Sequence, residues 1–304
     1  MKAVVIGGAG FIGSHVVDRL VGMNHDVLVV DNLLNGDLKN INKNAKFINK
    51  NILGDLSPEL KDAKIVFHFA ADADVRSSMQ NLYSNFEINV KGTISVLEAC
   101  RKMDIERIIF ASTSAVYGMT EIIPTPEDAV LKPISNYGAS KMASEAYLST
   151  YSNTYGICGS ILRFANIYGE RSRRGVMFDF FNKLRKNSDR LEILGNGNQD
   201  KSYLYISDCV SAIMAVLNKQ TKIYDVFNVG SKRKIKVKEI ANLVCNIMKV
   251  RPTIVYSSKS KFGWTGDVPT MLLDVKKLER LGWREEISLS EGLERYIMWL
   301  LSIK

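Results

Sequence analysis

The chain is predicted to form an α/β fold in which a doubly wound parallel sheet carries a smaller, interleaved α/β lobe. Three observations support this prediction. Short apolar runs alternate with helical patterns in the first half of the 304 residues, the alternation breaks up after Arg163, and no linker, repeat or low-complexity segment separates two units. Strands that alternate with helices form parallel sheets, because each crossover helix packs back onto one of the two faces.

The periodicity of the apolar residues predicts the individual elements. In the first half, the predicted strands are 2–6, 26–30, 46–49, 64–70 and 106–112, and the predicted helices are 11–22, 81–103 and 136–155. In the second half, strands are predicted near 191–194, 202–206 and 224–229, and helices near 207–218, 237–249 and 288–301. We therefore expect one domain from 1–165, to which 203–230 returns, and a second lobe from 166–202 and 231–304.

The composition is that of an ordinary soluble globular protein, with 46% hydrophobic and 24% charged residues. The chain enters a strand pattern at Lys2, so no signal peptide is expected, and four separated cysteines fit a reducing cytoplasm. Three histidines without metal-ligand spacing predict no zinc centre. The net charge of +9 includes the run Lys232-Arg233-Lys234, which we interpret as a solvated turn rather than a nucleic-acid interface.

A glycine-rich turn follows the first predicted strand and opens an amphipathic helix. Its residues are Gly7, Gly10, Phe11, Ile12 and Gly13. Because glycine lacks Cβ, the backbone can approach a pyrophosphate, and the helix N-terminus offers free N–H groups. Asp31 ends the second strand ~20 residues downstream, where a carboxylate accepts both ribose hydroxyls and repels a 2′-phosphate. The pattern therefore predicts a Rossmann-type domain that binds NAD in preference to NADP.

Two groups of polar residues indicate acid–base chemistry. The hydroxyl residues Ser112–Ser114 end a predicted strand, and ligands of parallel sheets bind at the carboxyl ends of the strands. Tyr137 and Lys141 lie four residues apart and therefore on one face of a helix. A phenol with a pKa of about 10 is a poor base near neutral pH, but a lysine cation and a nicotinamide cation would both lower that pKa. The pair predicts a base that takes a hydroxyl proton while hydride leaves the same carbon.

Together these residues resemble the extended short-chain dehydrogenases, specifically the NAD-dependent epimerase/dehydratase family. The resemblance runs almost from end to end, and the combination of motifs is specific for the family. The matching positions are Gly7 to Gly13, Asp31-Asn32, His68 to Ala71, Asn89-Val90, Gly92-Thr93, Ser112 to Gly118, Tyr137 to Lys141, Arg163, Asn166, Tyr168-Gly169, Tyr205, Asp208, Asn228 to Gly230 and Gly266-Asp267.

The resemblance implies a role for each matching position. Tyr137 is implied to be the base, Lys141 its activator, and Thr113 the hydroxyl that bridges the sugar oxygen to Tyr137. Beyond the glycine turn and the Tyr137–Lys141 pair, the implied cofactor site comprises Asp31, Asn32, Asn35, Gly36, Asn51, Ile52, Phe69, Ala70, Ala71, Asn89, Ser112 and Phe164. Beyond Thr113 and Tyr137, the implied substrate site comprises Arg76, Ser114, Asn166, Gly175, Val176, Lys201, Tyr203, Asp267 and Met271.

Four positions depart from the family pattern. Asn51 stands where an aspartate usually accepts from the adenine amino group, and Ala73 where some epimerases have lysine. Lys201 and Trp264 replace two arginines that hold the substrate diphosphate. The bidentate fork of arginine is not reproduced by lysine, so Arg76 and the basic segment 171–174 are candidates to compensate.

The residues after Thr113 indicate the expected reaction. Dehydratases of the family resemble Thr-Asp-Glu there, because eliminating water needs an acid and a base, and the related decarboxylases usually keep a glutamate. This chain has Ser114 and Ala115. Oxidation at C4 of a UDP-hexose, rotation of the 4-keto sugar and return of hydride is then the simplest cycle, which predicts a 4-epimerase. Another nucleotide-sugar epimerase, a net dehydrogenase acting on a small hydroxy compound, and a regulatory NAD(P)-binding protein remain as alternatives.

The resemblance also implies a homodimer in which the helices 81–103 and 136–155 of two subunits pair. Their apolar residues are Ile88, Val90, Ile94, Val96, Leu97 and Cys100 in the first, and Met142, Ala143, Ala146, Tyr147 and Tyr151 in the second. A helix that is apolar over so much of its surface is usually covered on two sides.

Overall fold

A parallel sheet of seven strands forms the centre of the molecule in the computed structural model, which describes residues 1–303. The strands along the chain are β1 (Lys2–Ile6), β2 (Asp26–Asp31), β3 (Lys46–Asn49), β4 (Ile65–His68), β5 (Arg107–Thr113), β6 (Cys158–Phe164), β7 (Asn166–Tyr168), β8 (Arg190–Ile193), β9 (Asp200–Tyr205), β10 (Tyr224–Val229), β11 (Lys234–Lys236), β12 (Thr253–Tyr256) and β13 (Thr270–Met271). The central sheet has the order β3-β2-β1-β4-β5-β6-β10, and all neighbouring pairs are parallel. This is the doubly wound arrangement that the sequence predicts.

Helices cover both faces of this sheet. They are α1 (Phe11–Gly22), α2 (Ser57–Leu60), α3 (Val75–Ser78), α4 (Leu82–Asn85), α5 (Gly92–Lys102), α6 (Asn136–Tyr155), α7 (Val176–Lys186), α8 (Ile206–Lys219), α9 (Val237–Met248), α10 (Lys276–Arg280) and α11 (Leu289–Ser302). Successive side chains of a strand point to opposite faces. Ala3 and Val5 of β1 accordingly join the core under α1, whereas Val4 and Ile6 join a second core that contains residues of α5 and α6.

The second lobe is built on two small sheets. Strand β9 pairs with β7, β11 and β13, and β8 pairs with β12. Strand β10 lies beyond β9 in the chain and returns to the central sheet beside β6. The two parts of the chain are therefore interleaved, and we keep the predicted boundaries of the domains as a proposal. Within residues 1–303, no helix combines the length and the apolar character that crossing a membrane requires.

Two of the longer elements, β6 and α7, have no counterpart in the sequence predictions. Strand β6 begins with Cys158, Gly159 and Ser160, and the glycine weakens the strand signal. Helix α7 begins after Gly175 without a side chain that caps it, so the usual start signal is absent.

The helix predicted at 81–103 is interrupted. A π-helical turn at 86–91 separates α4 from α5. Such turns often occur at functional sites, and this one contains the buried Asn89. The predicted apolar excess on this segment also needs correction: Val96, Leu97 and Cys100 are wholly buried against the central sheet. They belong to the core of one subunit and give no indication of a partner.

Candidate active site

The glycine-rich turn between β1 and α1 has the shape of a phosphate cradle. Gly7 has φ +82°, and a Cβ there would lie 2.4 Å from the backbone nitrogen of Ala70. A Cβ on Gly13 would lie 2.2 Å from the carbonyl oxygen of Gly7. Gly10 caps α1 without a side-chain hydrogen bond, so the first N–H groups of the helix stay available. These residues fit the pyrophosphate of a dinucleotide.

Asp31 lies beside this turn, at the end of β2. Its carboxylate is buried and accepts hydrogen bonds from the backbone N–H of Ala9 at 3.0 Å and of Leu33 at 2.8 Å. A Cβ on Gly36 would lie 3.0 Å from the Asp31 Oδ1 atom, so the loop can pack this closely only with glycine. Each carboxylate oxygen has a further lone pair, with which Asp31 can accept from a ribose.

The remaining residues predicted at the adenosine end differ in exposure. Asn32 and Asn51 are exposed, and their amide oxygens accept from backbone N–H groups two residues further on. Ile52 is buried and packs so closely on Gly92 that a Cβ at Gly92 would lie 2.4 Å from its Cδ1 atom. The Asn35 Oδ1 atom accepts from Arg174 at 2.7 Å, a contact between segments far apart in the chain.

The segment that follows β4 is fixed from both sides. The N–H groups of Phe69 and Ala70 both donate to the carbonyl oxygen of Ile6, at 2.8 and 3.0 Å, which ends β4 two residues earlier than predicted. Beyond Ala71, the Asn89 side chain accepts from the Asp72 N–H at 2.8 Å and donates to the Asp72 carbonyl at 3.0 Å. The backbone after β4 is thereby held beside the glycine turn.

The three hydroxyl residues after β5 point in different directions. Ser112 is buried, and its hydroxyl donates to the Glu145 carboxylate. The Thr113 hydroxyl accepts from the N–H of Ala115 at 3.1 Å and interacts with the Tyr137 phenol. Ser114 begins a 3-10 turn with a partly exposed side chain. The predicted place of Ser112 in the cofactor site stays a prediction, and its hydroxyl is engaged with Glu145.

A close approach of backbones places Tyr137 beside Thr113. A Cβ on Gly138 would lie 2.6 Å from the carbonyl oxygen of Ala115, so the start of α6 packs directly on the 3-10 turn. Ser135 caps this helix and accepts from the N–H of Gly138 at 3.1 Å. The glycine between Tyr137 and the helix body thus allows the phenol to reach the threonine.

Burial shifts the pKa values of both Tyr137 and Lys141. Burial raises the pKa of Tyr137 to about 12, against which the hydrogen bond with Thr113 acts. Burial lowers the pKa of Lys141 to about 7, although the Glu145 carboxylate on the next turn of α6 opposes this shift. The Lys141 Nζ atom lies 4.3 Å above the centre of the Phe110 ring. In the protein alone the phenol is protonated at neutral pH, and further positive charge is needed to make it a base.

Asn89, a predicted cofactor-site residue, belongs to a hydrogen-bonded network behind the pair whose other members were not predicted as part of the site. The Asn89 amide donates to the Ser140 hydroxyl at 2.9 Å, and its backbone carbonyl accepts from Thr93 at 2.5 Å and from Ser144 at 2.8 Å. Thr93 also contacts His68 Nε2 at 3.1 Å. Ser140 and Ser144 lie four residues apart on α6, as do Asn89 and Thr93 between the π-helical turn and α5, and this spacing is a signal that the sequence contains.

A second buried group, centred on Glu145, joins α6 to β5 and β6. Glu145 accepts from Ser112 and forms an ion pair with Arg163 at 2.7 Å, and both charged side chains are 5% exposed. Arg163 also donates to the Tyr117 hydroxyl at 2.8 Å. Because the ion pair is satisfied by several hydrogen bonds, it holds β5, β6 and α6 in register.

Three distant segments meet at the predicted substrate end. The guanidinium of Arg76 lies 4.4 Å from the centre of the Trp264 ring, and the Lys201 Nζ atom lies 5.1 Å from it. Lys201 also forms an ion pair with Asp267 at 2.6 Å. The indole N–H of Trp264 is buried and has no hydrogen-bond partner within the described residues. Trp264, which replaces an arginine of the family pattern, thus makes cation–π contacts with both Arg76 and Lys201.

Asp267 itself has a supporting position. Its side chain is fully buried, and its two oxygens accept from Lys201 and from the N–H of Gly263 at 2.9 Å. Asp267 thus positions Lys201 and the backbone of Gly263, and its predicted contact with the substrate stays a prediction.

The other predicted substrate residues lie around this cluster. The Asn166 amide nitrogen donates to the carbonyl of Ser202 at 2.9 Å, and the amide oxygen takes no part in that bond. Tyr203 is nearly buried, and burial raises the pKa of its phenol. Met271 pairs with Lys201 across β13 and β9. Gly175 has φ +91° and precedes Val176 at the start of α7, and Phe164 pairs with Thr113 across β6 and β5.

Comparison with known proteins places this site in a family. The model of the NAD dependent epimerase/dehydratase family matches residues 3–230. The chain belongs to this family. A protein of Methanocaldococcus jannaschii named putative UDP-glucose 4-epimerase is 40% identical, over 98% of this chain and 97% of that protein.

Two solved structures have the same fold over their full length. The UDP-glucose 4-epimerase of Thermotoga maritima, crystallised with UDP-glucose, has a TM-score of 0.93 at 34% identity over 99% of both chains. The UDP-glucose 4-epimerase of Thermus thermophilus, in complex with NAD, has a TM-score of 0.91 at 29% identity over 100% of both chains. The chain is therefore an NAD-dependent enzyme that is similar to UDP-glucose 4-epimerases.

Proposed function

We propose that this enzyme interconverts UDP-galactose and UDP-glucose through a transient 4-keto sugar. The observation that carries the proposal is the direct packing of the start of α6, which carries Tyr137, on the turn that follows Thr113 at the carboxyl end of β5, a turn that contains Ser114 and Ala115. That turn can exchange one hydroxyl proton but has no carboxylate for eliminating water. The relatives named as UDP-glucose 4-epimerases support the choice of substrate.

The protein residues would divide the work between them. NAD, which the glycine turn and Asp31 would hold, would supply reversible hydride exchange at the sugar C4. Thr113 orients the C4 hydroxyl, and the Tyr137 oxygen takes its proton and later gives it back. Lys141, buried beneath them, supplies positive charge that lowers the pKa of the phenol when the cofactor is present. The cluster of Arg76, Trp264 and Lys201 would hold the substrate diphosphate.

Product analysis tests this proposal. We expect NMR to show UDP-glucose accumulating from UDP-galactose, with no net accumulation of NADH absorbance. Steady NADH formation from a small hydroxy compound would identify a net dehydrogenase instead, and a 4-keto-6-deoxy product would identify a dehydratase. NAD binding without turnover of any UDP-hexose would favour the regulatory alternative.

We further propose a cytoplasmic homodimer. The four cysteines are free thiols, which fits a reducing compartment. On α4, α6 and the turn after α4, large apolar side chains are left exposed: Leu82 (55%), Tyr83 (79%), Phe86 (53%) and Tyr147 (43%). Adjacent exposed apolar side chains mark interaction surfaces. Sedimentation should give a dimer at micromolar concentration, and a monomer there would contradict the proposal.

A further inference from the structure

A basic segment lies against α1 and the loop after β2. We call residues 170–174 (Glu-Arg-Ser-Arg-Arg) the strap. It lies between Gly169 and Gly175, whose φ angles are +142° and +91°, and Arg171 within it has φ +66°. Backbone angles of this kind bend the chain sharply at both ends of the strap.

The first half of the strap is anchored to two helices. The Glu170 carbonyl contacts His15 Nε2 at 3.0 Å, and Arg171 forms an ion pair with Asp18 at 2.7 Å, both on α1. The carbonyl of the buried Ser172 accepts from the hydroxyl of Tyr296 on α11 at 2.8 Å. The strap therefore joins the cofactor domain to the C-terminal helix.

The second half of the strap reaches the loop after β2. Arg173 lies 3.6 Å from Asp37, and Arg174 donates to Asn35 Oδ1 at 2.7 Å. Between these two contacts, Gly36 packs on the glycine turn: a Cβ there would lie 2.9 Å from the Cβ atom of Ala9, and the Asp37 N–H donates to the Ala9 carbonyl at 3.1 Å. Through this loop, Arg174 lies beside the glycine turn.

The contacts of the strap surround the start of α1. His15 and Asp18 of α1 hold its first half, and the loop after β2, which packs on Ala9, holds its second half. Strands β1 and β2 are parallel neighbours, so the glycine turn and this loop lie at the same edge of the sheet. The strap therefore runs beside the glycine turn and the open N-terminus of α1, where the pyrophosphate of a dinucleotide binds.

We propose that the strap closes over bound NAD and that Arg174 is a ligand of its pyrophosphate. The guanidinium is exposed in the protein alone, and its planar fork suits a phosphate. Asn35 holds it at the cleft, and the anchors on α1 and α11 fix the strap behind it. The strap slows the release of NAD, so that one cofactor molecule serves many turnovers.

The release of NAD from the holoenzyme tests the proposal directly. Arg174→Ala is expected to accelerate the dissociation of NAD by about ten- to hundredfold, as the loss of a charge-assisted phosphate contact requires. Arg174→Lys should lie between this variant and the wild type. Arg251→Ala removes an exposed arginine of the second lobe and serves as the matched control, with unchanged release.

Ligand fragments distinguish the pyrophosphate from the ribose. Arg174→Ala should weaken the binding of ADP but leave that of adenosine unchanged, and the salt dependence of ADP binding should decrease. Equal losses for ADP and adenosine would overturn the assignment to the pyrophosphate. Release of NAD at the wild-type rate from Arg174→Ala would overturn the strap itself. Both measurements follow NAD or its fragments alone, so they are independent of the proposed sugar substrate.

Discussion

The cofactor half and the substrate half of the site are assembled in different ways. The parts of the cofactor half come from neighbouring parallel strands: the glycine turn follows β1, Asp31 ends β2, and Thr113 ends β5. The substrate half brings Arg76, Lys201 and Trp264 together from segments separated by more than the length of any one motif. Backbone geometry fixes the first half, whereas side-chain contacts over long distances fix the second.

This difference has consequences for mutation. In the cofactor half, a change acts on a position that strand register and close glycine contacts have already determined. In the substrate half, one cation can take over part of the work of another, because both stack on the same ring. We therefore expect large, all-or-none effects in the first half and graded effects in the second.

The largest effect is expected for Tyr137→Phe. The change removes the phenolic oxygen of the proposed base, and we expect kcat to fall by at least ~10³-fold. The bound NAD should remain, because the ring and the helix are unchanged. Tyr147→Phe on the exposed side of α6 is the control. Activity near that of the wild type in Tyr137→Phe would show that another group is the base.

Lys141→Met should reduce kcat by ~10²-fold or more and weaken NAD binding, but stabilise the cofactor-free protein. Burial lowers the pKa of Lys141 to about 7. Below pH ~7 Lys141 is charged in both states, but its ammonium is buried in the folded protein and hydrated in the unfolded chain. The destabilisation of the folded state by this charge is therefore largest there. Between pH ~7 and ~10.5 only the unfolded chain still binds the proton, and the cost declines as the pH rises.

Thermal unfolding at several pH values tests whether the destabilisation by Lys141 decreases as the pH rises. The increase in Tm of Lys141→Met should amount to several degrees at pH ~6 and should nearly vanish at pH ~10. Lys186→Met, at the exposed end of α7, should show no such dependence. A gain that is constant with pH would mean that packing, rather than the buried charge, is responsible.

The same contrast explains how far the sequence could be interpreted. The glycine turn, Asp31 and the helix at Asn136–Tyr155 were predictable because local spacing determines their geometry. The direction of the Ser112 hydroxyl was not, since it depends on Glu145, which α6 brings under the sheet. Likewise, no local pattern shows that Trp264 lies between two cations, or that Asp267 serves Lys201.

Trp264→Leu sharpens the comparison on the substrate side. Without the ring, Arg76 and Lys201 lose their common platform, and we expect KM for a UDP-hexose to rise about tenfold with kcat nearly unchanged. Trp264→Phe keeps an aromatic face but removes the unpartnered indole N–H, so its effect should be smaller. NAD affinity is the internal control. A loss of kcat as large as that of Tyr137→Phe would show that this cluster also positions the reacting carbon.

The smallest effect concerns substrate breadth and depends on Met271. The resemblance to 4-epimerases implies that the residue five positions after Gly266 lies beside C2 of the sugar, where tyrosine narrows the pocket. Met271 is partly buried and pairs with Lys201 on the neighbouring strand, so it lies next to the cation cluster. An unbranched thioether can fold aside at little cost, which would admit an N-acetyl group.

We therefore expect the wild type to accept UDP-N-acetylgalactosamine as well as UDP-galactose. Met271→Tyr should lower kcat/KM for the acetylated sugar by about 10-fold, the scale of a steric clash of a few heavy atoms, and leave that for UDP-galactose within about twofold. Met271→Leu preserves the volume and is the matched control. If the wild type rejects the acetylated sugar, or if Met271→Tyr leaves the preference unchanged, Met271 only packs against the second lobe, and the limit on breadth lies elsewhere in the substrate half.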